Sequence, residues 1–315
     1  MLPNHVLAST DLLAQAAARC AWVQWSAIGA TTLHASAPSE DIVDIEAVLL
    51  GSLGLAARVP RLQTLATDWT LENSQLLSIA RLRALLAGPF KQTPVDIGDL
   101  AHRVATEGGD ARWRALAIPE RTTSSAKDQR ARTPRRAMPP RWRGAETLLL
   151  QLRRGFGVGV KPDLLAILLG ARGAWVDAAQ LADLSAYTVS AVRRAADDMA
   201  NARFIESSGG HGRAFRADVG AWQSQVPGIG EPRWRRRADG FAFVLRWMHH
   251  SQQKAEHRVS ELALSINFGA LMTDYWRLWL EAGVTQQPVS DNSTSPWASR
   301  HAAIESLVAW FGGDK

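Results

Sequence analysis

The sequence predicts a mainly α-helical protein that carries one small β-hairpin near its centre. Three observations predict this class. Apolar residues recur at three- and four-residue spacing along the early part of the chain and again beyond Arg233, the spacing of one buried helix face. Cap and breaker residues divide those stretches into helices of ordinary length. Between them, Asp163 to Arg216 sets apolar helices among brief extended pieces and a Gly-rich tip.

Size and composition set the limits. At 315 residues the chain is too long for one small core, and two or three packed units are expected. Apolar residues make up 46% and charged residues 21%, which excludes wholesale disorder and a collagen-like or low-complexity chain. Cys20 is the one cysteine, so neither an internal disulfide nor a multi-cysteine zinc site can form. The longest uncharged window, Cys20 to Ser39, holds Gln24, Thr31, Thr32 and His34 and is too polar to span a bilayer. Met1 to Arg19 lacks the basic start and compact apolar core of an export signal. A cytoplasmic protein with no membrane contact is expected.

Residues 1–106 read as a helical domain. Ser9 and Thr10 are expected to cap a helix through Leu12, Leu13, Ala16, Ala17, Cys20 and Val23, ending near Gly29. A second helix, from about Asp41, carries Ile42, Ile45, Val48, Leu49 and Leu53 and is interrupted at Pro60. Leu62, Leu65 and Trp69 predict a third; Ile79, Leu82, Leu85 and Leu86 predict a fourth, stopped by Gly88-Pro89.

Residues 107–144 break the pattern with Gly108-Gly109, Thr122 to Ser125, Pro134 and Pro139-Pro140, and read as a flexible basic linker. Arg121 to Arg143 holds eight bases against Asp128 alone, a balance of +7 in a chain whose total is +6. The folded remainder is therefore close to neutral. Trp113 and Trp142, each flanked by arginines, are expected to dock the two ends. Residues 223–315 are helical again: Phe241, Val244, Leu245 and Met248 form one stripe, and Leu262, Leu264, Phe268, Leu271, Trp276, Leu278 and Leu280 continue the apolar content.

Residues 145–222 carry the most informative pattern. Leu164, Leu165, Ile167, Leu168 and Leu169 form a short helix ending at Gly170, and Gly173 to Val176 supplies an extended piece. Asp177 caps a helix through Ala178, Leu181, Ala182 and Leu184. After a short turn, Thr188 caps a longer helix with Val192, Ala195, Ala196 and Met199 facing inward. Phe204 to Glu206 and Ala214 to Arg216 form a hairpin around a tip at 207–212. Helix, short strand, helix, turn, helix, hairpin is the order of a winged helix-turn-helix. Ala182, Ala186 and Val192 stand at the small, turn and apolar positions where two such helices pack. Tyr187 is expected to plug the gap between them.

Ala179 to Val192, with Phe204-Ile205 and the Gly-rich wing, resembles the winged-helix domains of bacterial MarR- and ArsR-type transcriptional regulators. The flanks resemble uncharacterised bacterial proteins with a central helix-turn-helix. Ala186 departs from the glycine usual in that family, so the turn is expected to avoid a left-handed backbone there. Ala196 is small where a leucine is common. The fold implied is mainly α, with a central winged helix-turn-helix between helical domains. The function implied is sequence-specific binding of double-stranded DNA in transcription regulation.

In such a domain the second helix enters the major groove with its first residues on base edges. Here Thr188, Val189, Ser190, Arg193, Arg194 and Asp197 occupy that face. Arg193 and Arg194 suit guanine O6/N7 or phosphate, Thr188 and Ser190 phosphate, and Val189 a thymine methyl. On the wing, His211, Arg213 and Arg216 are placed to follow the DNA backbone or minor groove. In the linker, Arg130, Arg132, Arg135, Arg136, Arg141 and Arg143 would add phosphate contacts without sequence preference. Two half-sites need two recognition helices, so a homodimer through a flanking helical domain is expected.

No catalytic constellation assembles from the sequence, and no enzyme activity, metal or cofactor is expected. Leu50-Gly51-Ser52 followed by Asp68 resembles a nucleotidyltransferase signature, but Thr70 stands where the second acid belongs. Gly155 to Gly159 lacks the lysine-and-hydroxyl ending of a phosphate loop. Of His249, His250 and His257, the last two would lie about 10 Å apart on a continuous helix, too far to share one ion. Arg233 to Arg237 forms a second basic patch, suited either to phosphate or to solvating a helix start. A second functional reading is an adaptor or antitoxin-like protein whose helical domains bind a protein partner encoded nearby, with DNA binding secondary or autoregulatory.

Overall fold

The computed structural model describes residues 3–31, 39–117, 140–209, 212–226, 228–255, 260–284 and 297–313. Helix α1 (Asn4–Ala27) begins before Ser9 and Thr10, which are therefore not its caps. Both hydroxyls lie buried inside the helix and donate back to the carbonyls of His5 and Val6 at 2.9 Å. They also receive indole N–H groups from the far end of the chain, Trp297 on Ser9 at 3.3 Å and Trp247 on Thr10 at 3.0 Å. A buried tryptophan N–H needs an acceptor, and these two residues supply it.

Helix α2 (Ile45–Gly54) is capped by Asp44, whose carboxylate accepts from the Ala47 N–H, and not by Asp41. The displacement has a cause: residues 40–42 are extended because they pair with Arg233. Ile42 N–H donates to the Arg233 carbonyl at 2.9 Å and Arg233 N–H to the Glu40 carbonyl at 2.7 Å. Helix α3 (Pro60–Asn73) has proline in its first turn, where the missing N–H costs nothing. Ser78 caps α4 (Ile79–Ala87), and α5 (Gly98–Thr106) follows with Leu100, Ala101 and Val104 inward. Residues 111–115 make a 3-10 turn that buries Trp113 fully. Residues 118–139, which include Arg130, Arg132, Arg135 and Arg136, lie outside the described residues.

Helix α6 (Leu148–Phe156) leads through glycines into α7 (Val160–Gly170), which is buried from Pro162 to Gly170. Its largely apolar surface places it inside the protein, with Asp163 as its one buried charge, and it packs closely on α6. Its last residue is Gly170 because Trp234 passes too close for a side chain; a Cβ there would sit 2.5 Å from the Trp234 backbone nitrogen. Next come β1 (Val176–Asp177), α8 (Ala178–Ser185), α9 (Val189–Asn201), β2 (Glu206–Ser207) and β3 (Ala214–Arg216). The strands form an antiparallel sheet in the order β1-β3-β2, with Val176 opposite Phe215 and Glu206 opposite Arg216.

Short α10 (Val219–Gln223) precedes the last group: α11 (Arg237–Ala255), α12 (Glu261–Asp274), α13 (Trp276–Glu281) and α14 (Ala298–Gly312). Helix α11 packs on both α1 and α2, and α14 packs on α1, so the first and last helical stretches share one core. Gly51 lets α11 approach: a Cβ there would meet the Phe241 ring at 2.6 Å. Ser52 beside it is buried and accepts from Trp25 Nε1 at 2.9 Å, so the Gly-Ser pair is a packing device. Leu264, Phe268, Leu271 and Leu278 are buried as the pattern predicts, whereas Leu262, Trp276 and Leu280 are exposed. Among the described residues no helix is long and apolar enough to cross a membrane.

Arg233 to Arg237 is neither a phosphate patch nor a solvated helix start. The bridge at Arg233 brings Asp41 against three of its arginines: Arg233 at 2.8 Å, Arg235 at 2.9 Å and Arg237 at 2.7 Å. The Arg237 guanidinium also lies over the Trp310 ring, 4.4 Å from its centroid. Arg236 turns the other way, to Asp183 on α8 at 2.6 Å and Asp239 at 3.2 Å.

Candidate nucleic-acid interface

The local sequence builds α8 and α9 as expected at their starts. Asp177 and Gln180 form a reciprocal capping box, with Gln180 N–H on the Asp177 carboxylate at 2.8 Å and Asp177 N–H on Gln180 Oε1 at 3.1 Å. Thr188 caps α9 by accepting from the Ala191 N–H. The turn between them departs from expectation: Ala186 does adopt a left-handed backbone, φ 60° and ψ 17°. For an alanine this costs roughly 1–2 kcal/mol.

What holds Ala186 there is a buried ionic network on either side of it. Arg81 on α4 chelates Asp44 through two bonds of 2.6 Å and reaches Glu46 at 2.8 Å. Arg153 on α6 joins Glu46 at 2.6 Å to Asp163 on α7 at 2.8 Å. The turn is tied to both ends of this chain. Arg81 Nε donates to the Ser185 carbonyl at 3.0 Å, and the Tyr187 hydroxyl donates to Asp163 at 2.9 Å and lies 2.9 Å from the Ser78 hydroxyl. Tyr187 packs partly buried against the core and anchors the turn through its hydroxyl to Ser78 at the start of α4 and to α7.

All five charged residues of the network, Asp44, Glu46, Arg81, Arg153 and Asp163, are essentially inaccessible to water. Burial pushes the Glu46 carboxyl up, but Arg153 and Arg81 outweigh it and hold the group below its ordinary range. Burial, with the Asp163 charge, pushes the Tyr187 phenol well up, so it stays a neutral donor. No local pattern in the sequence points to this cluster, whose members come from five separate stretches.

On α9, Val192, Ala195, Ala196 and Met199 are buried as the spacing predicts, and Ala196 fits with no exposure at all. Thr188, Val189, Ser190, Arg193 and Arg194 are exposed together, with Asp197 half-buried beside them. Asp197 pairs with Arg213 of β3's approach at 3.1 Å, and Asp198 pairs with Lys161 of α7 at 2.9 Å. Arg193 and Arg194 make no ion pair among the described residues. Arg216 is held by Glu206 across the sheet at 2.7 Å and lies over the Trp175 ring, 4.7 Å from its centroid. Lys161, which pairs with Asp198, is the neighbour of α9 that the sequence pattern missed; its place as the second residue of α7 held no signal of the contact.

His211 lies outside the described residues. Arg141 and Arg143 are exposed on the approach to α6. The histidines of α11 are packing groups: His250 stacks on Trp247 and burial lowers its pKa, while His249 meets Gln253 at 2.9 Å. His257 is outside the described residues. Compared with protein-family models, with curated proteins and with solved structures, the chain matches none.

Proposed function

We propose that the chain binds double-stranded DNA sequence-specifically, as a transcriptional regulator, through a winged helix-turn-helix made of α7 to α9 and the three strands. Helix α9 is the recognition helix. The observation that carries this reading is the charge arrangement on α9: Arg193 and Arg194 stand exposed, without an ion pair among the described residues, beside Thr188, Val189 and Ser190, while both acids of the helix are paired with bases from other elements. A free carboxylate on a groove-facing helix repels phosphate, and here Lys161 and Arg213 cancel that repulsion.

The same pairs assign roles. Arg193 and Arg194 contact bases or phosphates. Arg213 braces the hairpin against α9, and Arg216 braces β3 against β2, so their charges are already engaged before DNA arrives. A palindromic site would take two copies of the chain. The test is Arg193→Ala with Arg194→Ala, measured by fluorescence anisotropy on duplex DNA. Each bidentate arginine contributes about 1–3 kcal/mol of discrimination, so the double variant should lose roughly 10-fold or more of its specific affinity while its thermal unfolding stays unchanged. Unchanged affinity and selectivity would count against α9 as the reader.

A further inference from the structure

We infer that the face of the central module at the far end of α9 from Thr188 is a docking surface for an acidic segment of a partner protein that inserts apolar side chains. Phe156 at the end of α6, Phe204 just after α9 and Trp222 in α10 meet in a triangle, with ring centroids 5.9, 6.1 and 6.1 Å apart. Phe156 is 52% and Phe204 47% exposed, and the Trp222 indole is fixed beneath by donating to the Phe204 carbonyl at 3.1 Å. A lone exposed phenylalanine needs no account, but a contiguous, pre-positioned aromatic group marks an interaction site.

Its rim is cationic. Arg154 lies two residues before Phe156 and covers the half-exposed Trp142 ring, 5.6 Å from its centroid. Arg203 precedes Phe204, and Arg141 and Arg143 flank Trp142. All four arginines are exposed, and none makes an ion pair among the described residues. Two exposed acids border the segments that bear the patch, Glu206, already held by Arg216 at 2.7 Å, and Asp218, which accepts from the Gly220 N–H at 2.8 Å, so the four arginines outnumber them. Phenylalanine, tryptophan and arginine together are the composition of interface centres.

Charge complementarity calls for an acidic occupant. The basic stretch Arg121 to Arg143 of this chain has the wrong sign to fill the role. Nucleic acid has the right sign but needs flat, separate ring faces on which bases stack. These rings are tilted 57–68° to one another, two of the three pairs edge to face, which makes a ridged apolar surface suited to side chains. This surface stands whether or not α9 reads DNA.

The test is selection from a phage-displayed library of random peptides on the immobilised full-length protein, followed by anisotropy of the enriched peptides. Enrichment of sequences that combine Asp or Glu with Phe, Trp, Leu or Met is expected. Phe156→Ser with Phe204→Ser should weaken those peptides by about 10-fold or more while duplex DNA affinity is unchanged. Arg154→Glu with Arg143→Glu should do the same to the peptides and keeps the test decisive if the phenylalanine variant fails to fold. Enrichment no greater than on an unrelated protein, enrichment of basic peptides, or indifference to both variants would overturn the proposal. So would binding of a single-stranded oligonucleotide that Phe156→Ser with Phe204→Ser weakens, which would make this a nucleic-acid surface.

Discussion

Asp41 sits among three arginines, and their charges set its protonation. Burial raises its pKa, but Arg237, Arg235 and Arg233 outweigh burial and hold the carboxyl below its ordinary 3.8. A folded value below the unfolded one means that the carboxylate stabilises the fold above the unfolded value, and that this contribution is lost as pH falls through the folded one. Glu46 follows the same sign. Stability against urea should therefore be retained for these groups near neutral pH and fall below about pH 4. Asp41→Asn should cost about 3–5 kcal/mol at neutral pH, because Arg235 and Arg237 stay buried without a counter-charge, and should flatten part of the acid slope. An asparagine variant with the parent's urea midpoint at both pH values would contradict this. Ala186 carries a second residue-scale prediction: Ala186→Gly should raise stability by about 1 kcal/mol, seen as a higher urea midpoint, because glycine takes the left-handed backbone without strain. The strained turn was not legible in the sequence. It is imposed through Ser185 and Tyr187 by Arg81 and Asp163, residues that no local rule connects with it.

Among the elements, helices whose signals are local were legible and those whose ends depend on distant partners were not. The Asp177 capping box, the Thr188 cap and the inward stripe of α9 are short-range patterns, and each stands where the spacing puts it. Asp177→Ala should cost about 1 kcal/mol, measured by thermal unfolding, because the Gln180 N–H loses its carboxylate partner. By contrast Ser9 and Thr10 look like caps but serve Trp297 and Trp247, from the far end of the chain. The arginines of 233–237 look like a surface patch, yet Asp41 and Asp183 claim them. On the proposed DNA face the exposed set of α9 was legible from its 3.6-residue period, but the pairing of its acids was not. That pairing makes a prediction. Asp197→Asn removes a negative charge and releases Arg213, so duplex affinity should rise, and the dependence of log affinity on log salt should steepen by about 0.9 for one added phosphate contact. A salt slope equal to the parent's would show that Arg213 makes no such contact.

Over the whole molecule, charge and packing divide the work. The fully buried network joins α2, α4, α6 and α7 to the α8–α9 turn, so the orientation of α9 is set by helices from the first part of the chain. The strongest positive charge lies elsewhere, in Arg121 to Arg143, and the rest of the chain is close to neutral. Two kinds of binding should follow: phosphate attraction without sequence preference from the basic stretch, and base reading from α9. Salt separates them, since counterion release weakens the first steeply and leaves hydrogen bonds to base edges less affected. The decisive measurement is fluorescence anisotropy of the full-length protein on the duplex upstream of its own coding sequence and on a scrambled duplex, across a salt series. A preference for the upstream duplex that persists as salt rises is the predicted result, and equal, steeply salt-sensitive binding to both duplexes would contradict sequence reading by α9.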